Sequence, residues 1–163
     1  MLKFGSFLVL VCAIQTVAAQ PDDNSSVLNE IEVFYSGYLS AFSKQQPEKL
    51  ANTYLLTPLL FRNSGDTIFL RNKEEVVARY NALFTDLSTQ NYVRSEVLAS
   101  NFCVLTDTSA IVSVAFRRFD SEDKIILESG GTYAIVKVDD YWKIALITTH
   151  DAENVVSCSN SSD

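Results

Sequence analysis

Apolar residues recur in steps of three and four along Leu28, Ile31, Tyr35, Tyr38 and Phe42. That spacing puts them on one face of a long amphipathic helix, which Ser25 or Ser26 is placed to cap. Pro47 suits a first helical turn, and Leu50, Ala51 and Tyr54 carry a short second helix that Pro58 ends. The stretch LLFRNSGDTIFLRN predicts two short strands turning at Asn63-Ser64-Gly65-Asp66, a cluster of turn formers. Asn72 with Glu75 three residues on has the form of a capping box. A third helix follows from it, with Val76, Tyr80, Leu83 or Phe84, and Leu87 on its apolar face.

Beyond Tyr92 the period changes to two. YVRSEVLASNFCVLT and AIVSVAFRRF are rich in β-branched and aromatic residues, and Lys124 to Asp151 reads as two long strands folded back at Asp139-Asp140. Ser129-Gly130-Gly131-Thr132 inside one of them suggests a bulge. On the last strand Trp142, Ile144, Leu146 and Thr148 form the heavier parity, which should face the core and which ends at His150. By the same reasoning Val112, Val114 and Phe116 lead to Arg118, and Thr132 shares a face with Ala134 and Val136. The order helix, short helix, two strands, helix and four-stranded meander predicts an α+β cone. A strongly curved mixed or antiparallel sheet wraps around the N-terminal helices and leaves a pocket at its open end.

The chain's ends change this picture little. Met1 to Ala19 has a short basic start at Lys3, an apolar run too short to span a bilayer, and small residues before Gln20-Pro21, the form of a signal peptide cleaved after Ala19. The expected organisation is a signal peptide (1–19), a polar lead-in (20–26), one domain (27–152) and a polar tail (153–163), in a secreted protein, or a periplasmic one in a bacterial host. The formal net charge is -7, and loss of Lys3 makes the mature chain more acidic still. An acidic chain with no basic run is poorly suited to nucleic acid or, once the leader is gone, to a membrane surface. Cys103 and Cys158 remain in an oxidising compartment, where they could pair or stand as separate thiols. Asn24-Ser25-Ser26 and Asn160-Ser161-Ser162 satisfy the acceptor rule for N-linked glycans in a eukaryotic host.

The order of elements, the aromatic first helix and the closing strand YWKIALITTHD resemble the nuclear transport factor two-like superfamily, in its SnoaL-like branch. RRFDSEDK and GGTY, with that strand, bring the chain closest to an uncharacterised subgroup of the branch. The resemblance covers nearly all of Val27 to Asp151. It implies a cystatin-like cone and often a homodimer, but no particular reaction. Ketosteroid isomerases belong to the same superfamily, and YLSAFSKQQPEKLANTY aligns with their first helix so that Tyr38 falls on the tyrosine that donates to their substrate's oxyanion. The carboxylate that serves them as general base falls here on Arg62 or Asn63, and their second acidic donor near Gly131 or Thr132. None of these carries a carboxyl group, so the isomerase chemistry is not expected.

Other chemistries have no footing in the sequence. A single histidine without ligand-spaced partners argues against zinc, five glycines without a cradling loop argue against nucleotides, and no nucleophile elbow accompanies His150. No cofactor is expected. What remains is an apolar hollow bordered by Tyr38, Arg118 and His150, with Tyr54 and Thr132 as further ligand contacts. Such a site could orient a small apolar, anionic or carbonyl-bearing molecule. The reading favoured is a binding module. The alternative is a cofactor-free isomerase, cyclase, dehydratase or hydrolase, in which His150 carries a proton and Tyr38 and Arg118 stabilise negative charge.

Overall fold

The computed structural model describes residues 23–63 and 65–158. The segment read as a signal peptide, Ser64 and Asn160 lie outside the described residues. The elements are helix α1 (Asp23–Ser43), helix α2 (Pro47–Lys49) running into a single π turn (Leu50–Tyr54), strands β1 (Leu55–Asn63) and β2 (Asp66–Leu70), helix α3 (Lys73–Thr89), strands β3 (Tyr92–Thr106), β4 (Ser109–Asp120), β5 (Ile125–Val138) and β6 (Tyr141–His150), and a 3₁₀ turn (Ala152–Asn154).

The six strands make one curved, unclosed mixed sheet in the order β2-β1-β6-β5-β4-β3. β3 to β6 are an antiparallel meander, and β1 joins β6 in parallel while pairing antiparallel with β2. Helices α1 and α3 fill the hollow. Ile31, Tyr35, Tyr38 and Phe42 from α1 and Val76, Tyr80, Phe84 and Leu87 from α3 meet Val112, Val114, Tyr133, Ile135, Trp142 and Ile144 from the sheet in one core. The period-two and period-3.6 patterns therefore bury the residues they single out, because each element has one wall to pack against.

Local chemistry sets the boundaries. The Asn72 side chain accepts from the Glu75 N–H at 2.9 Å, while the Glu75 carboxylate accepts from the Arg71 N–H at 2.8 Å, so the capping box reaches back one residue further than its usual form. Asp139 and Asp140 both take positive φ (49° and 64°), the backbone of a two-residue hairpin whose twist matches the strands it joins. α1 begins at Asp23, so Ser25 and Ser26 lie inside the helix and do not cap it. Pro58 does not end the second helix, which stops at Tyr54. It lies within β1, between the two registers by which β1 pairs with β6, a place in a sheet where a residue lacking an N–H is tolerated.

The bulges fall elsewhere than expected. The β5 registers run unbroken through Ser129–Thr132. The shifts on the neighbouring ladders lie at Ile126, unpaired between Leu127 and Ile125, and at Ala145, unpaired between Ile144 and Leu146. A one-residue bulge reverses which parity faces the core. Trp142 and Ile144 accordingly point inward, but past Ala145 the inward residues are Ile147 and Thr149.

Candidate functional site

Between the concave face of the sheet and the helices α1 and α3 lies a cavity of about 680 Å3. Its aromatic and aliphatic lining comes from Tyr35, Tyr38, Leu39 and Phe42 on α1, Tyr80 and Leu83 on α3, and Phe61, Val97, Val114, Phe116, Leu127, Tyr133 and Ile147 on the strands. Gly131 also borders it. A Cβ there would come within 2.9 Å of the Tyr133 hydroxyl, so the absent side chain is what lets the Tyr133 ring fold back along its own strand.

Four tyrosines contribute hydroxyls to the lining. The Tyr38 and Tyr80 hydroxyls are hydrogen-bonded at 3.2 Å, and the Tyr133 ring packs edge-on to Tyr35 and Tyr38 with centroids 5.2 and 5.7 Å away. Burial pushes the hydroxyls of Tyr35 and Tyr38 well above the ordinary phenol value and raises Tyr80 and Tyr133 as well, so all four are neutral near pH 7. The Tyr35 hydroxyl is buried, with Tyr133 as its polar neighbour.

Two guanidinium groups border the same space. Arg118 lies over the rings of Phe42 and Phe116, 5.2 and 5.1 Å from their centroids, and Arg79 lies 5.2 Å over Phe61. Burial lowers the pKa of Arg118, but a guanidinium remains charged. Its neighbour in sequence has another fate: Arg117, one residue along and hence on the opposite face, pairs with Glu128 at 2.6 Å.

His150 borders the cavity, but both of its ring nitrogens are engaged. Nδ1 lies 2.8 Å from the Asp151 carbonyl oxygen, which can only accept, so Nδ1 carries the hydrogen. Nε2 then accepts from the Thr132 hydroxyl at 2.9 Å, Thr132 accepts from Ser113 at 2.8 Å, and Ser113 accepts from the Val156 N–H at 3.0 Å. Every donor in this wire has one acceptor. It runs over the convex face of β4 and β5, where the tail covers the fully buried Ser113. Asn101 donates to the Val156 carbonyl at 3.1 Å, and a Cys103–Cys158 disulfide, with Cα atoms 5.8 Å apart, ties the tail down.

The cavity thus brings together Tyr38, Arg118 and His150, and leaves two of the residues singled out from sequence beside it. Thr132 is on the convex face, opposite Ser113 and Thr148, because the inward parity of β5 is Gly131, Tyr133 and Ile135. Tyr54 packs behind the lining, its ring 6.2 Å from Tyr38 and 5.5 Å from Phe34. Tyr35, Tyr80, Tyr133 and Arg79 are contacts that sequence reasoning did not assign to the site. The heavier parity of GGTYAIV pointed to Tyr133, and the apolar stripes of α1 and α3 already contained Tyr35 and Tyr80. Arg79 had no periodic signal. Arg62 is exposed and donates to Thr67, and Asn63 accepts from the Thr149 hydroxyl at 2.6 Å, so neither position supplies a base. Among the described residues no group of three or more His, Cys, Asp and Glu side chains is placed to hold a metal ion.

No curated protein matches the chain. Solved structures share its architecture. An NTF-2-like protein of unknown function from Shewanella oneidensis MR-1 superposes with a TM-score of 0.61 at 16% identity, covering 76% of this chain and 98% of that one. A domain of unknown function with a cystatin-like fold from Nostoc punctiforme PCC 73102 does so with a TM-score of 0.58 at 19% identity, covering 82% and 79%. A Catenulispora acidiphila protein in complex with S-DNPA gives a TM-score of 0.61 at 12% identity, covering 79% and 96%. At these identities the likeness is one of fold alone. The sequence itself goes further: residues 29–152 match the model of the family described as NTF2-like protein (DUF6841), and the chain belongs to that family.

Proposed function

We propose that this protein is a binding module that encloses a small, largely apolar molecule in the hollow of its sheet without transforming it. The observation that carries this reading is a cavity of about 680 Å3 with aromatic walls, a volume suited to a small organic ligand. The structural neighbour complexed with S-DNPA lends support, since its fold is the same. The enzymatic alternative needs a group free to move a proton at the cavity. His150 has both nitrogens occupied, the four buried tyrosines are neutral, and Asp151, which supplies the one carboxylate among the lining residues, is exposed at the rim. The leader-like Met1–Ala19 and the Cys103–Cys158 pair support an extracellular or periplasmic setting for the module.

The test is native mass spectrometry of protein purified without denaturation, beside Val97→Trp, which puts an indole at the half-exposed edge of the cavity. The expected result is a stoichiometric small molecule on the wild type, unchanged after prolonged incubation, and its loss from a Val97→Trp protein that still unfolds cooperatively. A ligand consumed on incubation, or one that Val97→Trp retains in full, would overturn the reading.

A further inference from the structure

We propose that the ligand is an aromatic carboxylate whose anionic group is held by Arg118 and Arg79, an assignment that rests on the small-molecule reading above and specifies its chemistry. Arg71, Arg94 and Arg117 each lie within ion-pair distance of a carboxylate. Among the described residues Arg79 and Arg118 have no such carboxylate, and these two border the cavity. The Nε–H of each is buried with no hydrogen-bond partner. The rings beneath them explain how the cations are tolerated, but a ring face engages the guanidinium plane and leaves the N–H edges unused. A buried donor without an acceptor is costly, so a site that keeps two such groups bordering one hollow is complete only when an acceptor arrives.

Both arginines lie within electrostatic reach of the Tyr80 hydroxyl: burial raises it, and the positive charges of Arg79 and Arg118 oppose that rise. The formal net charge of the chain is -7, so this pair is a local reversal of the protein's field. A carboxylate fits better than a phosphoryl group. Phosphate sites commonly add backbone N–H groups from a helix start, whereas Arg79 lies in the second turn of α3 and the first turn of that helix contributes nothing to the lining. The rest of the ligand meets Tyr, Phe, Leu and Val side chains, which asks for a flat apolar body.

The experiment compares naphthylacetic acid with naphthylacetamide, two molecules of nearly the same shape that differ in charge, by calorimetric titration of the full mature chain stripped of any co-purified ligand. The acid should bind the wild type about tenfold or more tighter than the amide, as a charge-assisted contact requires. Arg118→Met should remove that preference, Arg79→Met should reduce it, and Arg118→Lys should keep part of it by retaining the charge. Thermal unfolding of each variant shows that it is folded. If Arg118→Met does not fold, the two Arg79 variants, Arg79→Met and Arg79→Lys, carry the same comparison. Equal binding of acid and amide by the wild type, or an undiminished preference in both Met variants, would overturn the carboxylate assignment while leaving the binding module intact. Failure of both molecules to bind, together with no ligand on the native protein, would overturn both.

Discussion

Tyr38 and Tyr80 satisfy one another inside the core, so Tyr38→Phe leaves the Tyr80 hydroxyl buried and alone. The expected cost is about 1–3 kcal/mol in unfolding free energy, read from urea denaturation, with Tyr80→Phe similar and the double variant costing less than the sum. His150 is the one histidine in the chain, which makes its tautomer directly measurable by nitrogen NMR. The spectrum should show the hydrogen on Nδ1, and Thr132→Val should release Nε2 from the wire while Nδ1 stays bonded to Asp151. Much at this scale was legible in the sequence: Tyr38, Arg118 and His150 do border one cavity. Thr132 faces away from the cavity because the inward parity of β5 is that of Tyr133, and the Ala145 bulge does the same to Thr148 on β6: a one-residue slip moves a side chain through the sheet.

Among the elements, α1 is tied to the closing hairpin by one carboxylate. Glu30 accepts from the Lys137 ammonium at 2.8 Å and from the Trp142 indole at 2.9 Å. The hydrogen bond from Lys137 is the larger of the two in holding Glu30 below its ordinary value of 4.5. A carboxylate depressed in the folded state contributes stability that is present above that ordinary value and is lost as pH falls through the lower folded value. Glu30→Gln should therefore lower Tm at about pH 7 and make progressively less difference below about pH 4. The tail is held by a different device. Cys103 and Cys158 close a loop of sequence separation 55, so reduction should cost at most about 4 kcal/mol by chain entropy and expose the Ser113 hydroxyl, visible as a lowered Tm in reductant. The elements themselves were readable from period and caps. The π turn and the long irregular β1 were not, since both follow from how the chain packs and not from any local signal.

At the scale of the whole molecule, the sequence patterns led to the curved wall and its hollow, because three apolar helix faces and an alternating meander can all be buried together in few other ways. They did not lead to Arg79, which sits at the edge of the apolar face of its helix, three residues after Val76 and four before Leu83, where a charged side chain carries no periodic signal. Binding of an anionic ligand by an acidic protein has a further signature: affinity for naphthylacetic acid should change little between low and moderate salt, since the buried pair is screened weakly and the distant negative field works against it. The same architecture settles what the rim can offer a guest. With one imidazole nitrogen given to a carbonyl and the other fed by a chain of hydroxyls from the far side of the wall, the ring has only carbon left to show the interior. Any bond-making in that chamber would have to take its proton acceptor from the guest or from the Asp151 carboxylate at the rim.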